Sequence, residues 1–151
     1  MTDATSGTAR TGGCLCGAVR FSVALEAAEF SACHCSMCRR WIGSPMLAVH
    51  CPAPITWQGE EHIVRYRSSE WAERCFCGRC GSSLFYFLIP TGETVLALGA
   101  FDDQDGFAMT SQIFIDEKPA GYAFANDTPT MTGPEVFAMY APKVEPPGED
   151  G

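Results

Sequence analysis

Residues 33–42 read CHCSMCRRWI, and residues 75–81 read CFCGRCG. Each run packs three cysteines into six positions, and what those thiols are for decides the reading of the chain. They are disulfide staples, redox thiols, buried core residues or metal ligands. The total of nine cysteines is odd, so a purely disulfide scheme leaves one over. The opening MTDATSGTARTGG has neither the basic start nor the apolar centre of a secretory signal. No run approaches the roughly 18 consecutive apolar residues of a membrane helix. The chain is therefore expected in the cytoplasm with no membrane partner, where reducing conditions favour metal over disulfides.

The 151 residues, 46% apolar and 19% charged, suit one soluble domain with a real core. The net charge of −8 is a poor match for a phosphate backbone, so no nucleic-acid partner is expected. The charge is uneven: residues 1–90 hold eight of the ten basic residues against seven acids, and the remainder is acidic. Arg39, Arg40, Arg65, Arg67, Arg74 and Arg79 all lie in the stretch that contains the two cysteine runs. Such a cluster suits one small anionic ligand, or equally a solvated face.

Most of the chain has the pattern of short strands. AVRFSVAL (18–25) alternates Val19, Phe21, Val23 and Leu25 with smaller or polar residues, as a half-buried strand does. Residues 44–51, 62–68, 82–89, 94–101 and 111–117 have strand length and β-forming composition, and Gly and Pro punctuate them. Short helices are expected only over 36–42 and around 134–140. The class is mainly β with one or two short helices. The domain is expected over 12–142, between a disordered N-terminus (1–11) and a disordered tail (143–151).

The cysteines have metal-site spacing. CGRCG is a C-x-x-C pair closed by a glycine that can take positive φ, and CLCG (14–17) is a tighter pair of the same kind. Two such corners supply four thiolates, enough for a closed structural zinc coupled to folding. Cys33, Cys35 and Cys38 supply three, which describes a zinc with one position open, unless Cys51, Cys75, His34, His50 or His62 adds a fourth. Spacing alone does not say which run is closed and which is open. Three thiolates leave a Zn²⁺ site with net charge −1, a poor generator of hydroxide but a good host for an incoming thiol. Thiol addition to a carbonyl fits that environment better than hydrolysis.

GGCLCGAVRF, CHCSMCRRWIGSP and ERCFCGRCGSSLFY, in this order and spacing, resemble the glutathione-dependent formaldehyde-activating enzyme family, whose domain is shared with centromere protein V. The likeness runs from about Gly12 to about Thr130. It implies a β-tent architecture of antiparallel sheets around two zinc ions per chain. It also implies a structural zinc on Cys14, Cys16, Cys77 and Cys80 and a catalytic zinc on Cys33, Cys35 and Cys38. Cys51 and Cys75 match no ligand position. The family often has a histidine where this chain has Gln112 and a tryptophan where it has Tyr122.

The expected function is a carbon–sulfur lyase that reversibly joins a low-molecular-weight thiol, glutathione above all, to formaldehyde or a related aldehyde. Arg39 and Arg40 are the candidates for offsetting thiolate charge and gripping a substrate carboxylate. Trp41 reads as core rather than substrate wall. The alternative is a non-catalytic zinc module that recognises a protein partner. A redox or metal-storage role fits less well, because the βαβ context of thioredoxin-like C-x-x-C proteins is missing. The sequence leaves the oligomeric state open.

Overall fold

The computed structural model describes residues 7–52 and 54–140. Its strands form two sheets. The smaller is antiparallel, with β1 (Thr8–Gly13) and β5 (Thr56–Gln58) flanking β2 (Arg20–Leu25). The larger has eight strands. Its order is β11 (Thr130–Met131), β10 (Ala108–Ile113), β3 (Glu29–Cys33), β4 (Met46–Cys51), β9 (Glu93–Ala97), β8 (Ser83–Leu88), β7 (Ala72–Cys77) and β6 (Ile63–Arg67). All its pairings are antiparallel except that β10 runs parallel to both β3 and β11, so this sheet is mixed.

The mainly β class is as the sequence reads. Phe21, Val23 and Leu25 are the buried face of β2, as their alternation requires. The two sheets meet through aromatic side chains: Trp57 lies 5.5 Å from Phe21 and 5.1 Å from Phe85, centroid to centroid. The core between them gathers Val19, Val49, Leu84, Leu96 and Phe101.

The two expected helices form. In α1 (Ser36–Ile42), Cys35 occupies the N-cap, and Gly43 ends the helix at φ 91° with its N–H on the Arg39 carbonyl. The other, α2 (Gly133–Tyr140), opens with a reciprocal cap. The Glu135 N–H donates to Thr132 Oγ1 at 3.3 Å, and Glu135 Oε1 accepts the Thr132 N–H at 2.7 Å.

Three expectations need correction. Residues 8–11 are not a disordered end: Thr8 to Gly13 pair with β2 from Leu25 to Arg20. Their polar side chains hide a strand that is held through its backbone. The strand expected over 111–117 starts at Ala108 and stops at Ile113, because Phe114 turns to φ 55° and a 3₁₀ turn (Ile115–Glu117) follows. The strand expected over 94–101 likewise gives way after Ala97 to a 3₁₀ turn (Leu98–Ala100). The expected disordered tail, 143–151, lies outside the described residues.

Candidate metal centre and its cavity

Cys14 and Cys16 follow β1 in a tight turn, and Cys77 and Cys80 bracket the turn after β7. Gly17 and Gly81, each just after the second cysteine of its pair, both sit at φ 82°. That left-handed turn aims both sulfurs of a pair the same way. Cys14 Sγ lies 3.7 Å from Cys16 Sγ, and Cys16 Sγ lies 3.9 Å from Cys77 Sγ. A tetrahedral ion with sulfurs at about 2.3 Å requires edges of about 3.8 Å. The four sulfurs lie within 4.8 Å of one another and could hold one metal ion. Backbone N–H groups of Val19 and Arg79 donate to Cys14 Sγ and Cys77 Sγ, both at 3.3 Å, as suits thiolates.

The second group is Cys33 at the end of β3, Cys35 at the α1 N-cap and Cys38 in the first turn of α1. Their sulfurs also lie within 4.8 Å of one another, and among the described residues no fourth side chain joins them. Cys35 Sγ accepts the Cys38 N–H at 3.3 Å, as a capping oxygen would. Donation from the Cys33 and Cys38 thiols draws Cys35 well below the usual thiol range, and the same contact, with burial, pushes Cys33 far above it. Three sulfurs that would all be thiolates cannot share one site without a cation, so the donor set fits a soft divalent metal such as zinc.

The group opens on a cavity of about 760 Å³. Arg74 of β7 lines it, and this arginine is 7% exposed. Its Nη1 donates to Cys38 Sγ at 3.5 Å, and its guanidinium lies 5.2 Å from the Trp41 ring and 4.9 Å from the Tyr86 ring. Its Nε is buried without a partner. Arg39 and Arg40 do not line the cavity. Arg39 Nε donates instead to the His34 carbonyl at 2.9 Å, and Arg40 is exposed. Arg74 is therefore the cation that sequence reasoning named among six arginines but gave no role, and its only signal was its place between Ala72 and Cys75 in the strand AERCFC. Trp41, read as core, is half-buried beneath it.

None of the three histidines joins a metal group. His34 is fully buried, with Nδ1 2.9 Å from the Tyr122 hydroxyl and Nε2 2.9 Å from Gln112 Oε1. The amide oxygen can only accept, so Nε2 carries a proton, and in the neutral ring the Tyr122 hydroxyl donates to Nδ1. His50 pairs with Glu93 at 2.7 Å, and His62 lies 3.6 Å from Glu61. Cys51 and Cys75 are buried, and burial pushes them up to about 12 and about 11, as inert core thiols.

The profile of the glutathione-dependent formaldehyde-activating enzyme family matches residues 9–117. The chain belongs to that family. A protein of Schizosaccharomyces pombe named as an uncharacterised lyase is 37% identical over 128 residues, 83% of this chain and 93% of the relative. A protein of Halomonas elongata, provisionally named a glutathione-dependent formaldehyde-activating enzyme, is 35% identical over 85 residues, 50% of this chain and 54% of the relative. The crystal structure of a Rhodobacter sphaeroides protein shares the fold, with TM-score 0.52 and 24% identity over 66% of this chain and 99% of that one. Within the formaldehyde-activating pattern, the two departures seen in the sequence meet in space. Gln112 and Tyr122 hold opposite nitrogens of the same imidazole, that of His34.

Proposed function

We propose that this protein is a lyase that reversibly joins a low-molecular-weight thiol, glutathione in the family's description, to formaldehyde or a related aldehyde. In this reading Cys14, Cys16, Cys77 and Cys80 hold a structural zinc, and Cys33, Cys35 and Cys38 hold a second. The observation that carries it is the three-sulfur group open to a cavity that also contains a buried arginine. Family membership and the relatives' names support the reaction class. Bound at Cys33, Cys35 and Cys38, zinc would supply the positive charge that keeps an incoming thiol ionised at neutral pH.

The chain's own residues do the rest. Arg74 offsets the negative charge of the sulfurs through its contact with Cys38 Sγ. The α1 N-terminus fixes Cys35 and Cys38 on one face of a single helical turn. In the addition, the sulfur lone pair forms the S–C bond and the carbonyl π pair moves to oxygen. That oxygen takes up the proton the thiol released, so the product is an S-hydroxymethyl adduct and nothing is oxidised.

The test is exchange NMR of glutathione and formaldehyde at equilibrium, with and without protein of measured metal content. Interconversion faster than in buffer is expected. A protein with both cysteine groups loaded that gives no acceleration would instead point to a zinc module that recognises a protein partner. The absence of a membrane-crossing helix among the described residues is compatible with small soluble substrates.

A further inference from the structure

His34 stands between two of the sulfur donors and faces away from both. It has no accessible surface, and its ring nitrogens are taken by other partners, Nδ1 by the Tyr122 hydroxyl and Nε2 by Gln112 Oε1, each at 2.9 Å. Strand β3 runs extended to Cys33, and Cys35 keeps an extended backbone at φ −65° and ψ 156°. In extended chain, successive side chains point to opposite sides. Cys33 and Cys35 accordingly line the cavity, and His34 does not.

The backbone of His34 is held as fully as its ring. Its N–H donates to the Ile113 carbonyl at 3.1 Å, and its carbonyl accepts from Arg39 Nε at 2.9 Å. Arg39 adjoins Cys38 in the chain. This one bond therefore ties the residue between the first two donors to the residue beside the third. The Arg39 N–H donates in turn to the Cys35 carbonyl at 3.0 Å, closing the same turn from inside.

The partners are themselves braced. Gln112 Nε2 donates to Thr128 Oγ1 at 3.3 Å, which leaves Oε1 as the atom turned to His34. Tyr122 stacks on the imidazole with centroids 5.5 Å apart, and Phe124 packs against it at 5.9 Å. Lys118 donates to the Tyr122 carbonyl, with its Nζ 5.1 Å from the Tyr122 ring. A leucine or phenylalanine would fill a buried position without needing partners, whereas a ring with two directional bonds is fixed in rotation as well as in place. Three sulfurs within 4.8 Å of one another repel as they ionise, so their convergence needs support that the thiols do not supply.

We propose that His34 is a positioning residue for the three-sulfur group. Clamped by Gln112, Tyr122, Ile113 and Arg39, it fixes the turn from Cys33 to Cys38, so that the three sulfurs converge before an ion arrives. A site organised in advance loses less freedom on binding and so holds its ion more tightly. The role rests on the reading above that this group holds the second zinc. It gives Tyr122, which does not line the cavity, a part in retaining the metal rather than in touching substrate.

The test is the zinc affinity of the full chain, read by competition with a chromophoric chelator well below the melting temperature. Cys35→Ser identifies which zinc equivalent belongs to the group. Tyr122→Phe, which removes one hydroxyl, and His34→Leu, which keeps bulk and loses both ring bonds, should each weaken that zinc by at least about tenfold, the size of effect that outer contacts of metal ligands commonly have. The other zinc should be held as before. His34→Gln, whose amide N–H can still reach Gln112, should recover part of the loss. A lower melting temperature with unchanged zinc affinity in both Tyr122→Phe and His34→Leu means packing alone and overturns the proposal. If His34→Leu does not fold, Tyr122→Phe and Gln112→Met decide by the same measure. Thiol–aldehyde acceleration is followed alongside. Its loss in Tyr122→Phe at limiting zinc should be restored by excess zinc, and a loss that zinc does not restore overturns the proposal too. No acceleration by the fully loaded natural chain overturns the lyase reading and leaves zinc affinity to decide the role of His34. A natural chain that takes up only one zinc equivalent overturns both.

Discussion

Arg74 Nη1 lies 3.5 Å from Cys38 Sγ, joining β7 to α1 across a gap of 36 residues in sequence. Three residues beyond Arg74 on the same strand, Cys77 belongs to the other cysteine group. Alternation along β7 sends Cys75 and Cys77 into the core between the sheets, while Arg74 faces Trp41 and Tyr86 beside the cavity. One strand thus serves both centres from its two faces, and this arrangement makes the two sites separable by mutation.

Replacing Cys77 or Cys14 with Ser should remove one metal equivalent and lower the melting temperature severely or leave the protein insoluble. A structural thiolate site contributes on the order of 10 kcal/mol to folding. Metal content and calorimetric melting check this. An unchanged melting temperature in Cys77→Ser would sink the structural role.

Cys35→Ser should leave a folded protein with about one metal equivalent fewer and no thiol–aldehyde acceleration, because a three-donor site cannot spare a donor. Circular dichroism, metal analysis and exchange NMR on one preparation separate these effects. Unfolding as complete as in Cys77→Ser would make this site structural as well.

Arg74→Gln should lower kcat/KM by tenfold or more, a loss of at least about 1.4 kcal/mol. The double change Arg39→Ala, Arg40→Ala should have a much smaller effect, since neither side chain lines the cavity. Steady-state rates at fixed metal content decide between them. A larger loss in the double variant would return the role to α1.

Thr132→Ala should cost about 1 kcal/mol by removing the oxygen that caps α2. Because Val136, Phe137 and Met139 of that helix line the cavity, KM for the carbonyl substrate should rise more than kcat falls. Denaturant unfolding and initial rates measure the two parts.

Asp102 ties the small sheet to the turn after β9. It accepts from Arg20 at 3.0 Å and from Thr11 Oγ1 at 2.6 Å, and these donors pull its carboxyl down to about 2. A depressed folded value means that the stabilisation is present above the unfolded carboxylate value, about 3.9, and is lost as pH falls towards 2. Asp102→Asn should therefore be less stable than wild type at pH 7, modestly because the pair is solvent-screened, and the gap should close between about pH 4 and pH 2. Melting scans of both proteins across that range test the sign.

The cysteine pairs were legible in the sequence because their geometry is local, whereas which pairs share a group came from the family resemblance and from the fold that brings Cys16 to Cys77. A C-x-x-C pair with glycine after it dictates its own turn, and Cys35 and Cys38 share a face of one helical turn whatever surrounds them. The strands with a buried alternating face were legible for the same reason, since apolar period reports burial directly. Strand β1 was not, because TARTGG is held by its backbone pairing with β2 and carries no apolar alternation. Which arginine meets the thiols was decided only by the tertiary structure. Arg39 adjoins Cys38 in the chain, but its guanidinium turns back to the His34 carbonyl, whereas sheet register carries the distant Arg74 onto the sulfur. Likewise, no sequence spacing joins His34 to Gln112 and Tyr122, or Trp71 to Phe137. Those contacts depend on which strands pair and where α2 docks. Sequence alone thus determined the local thiol pairs, whose positions short-range backbone geometry dictates, and long-range packing determined which pairs meet and what they face.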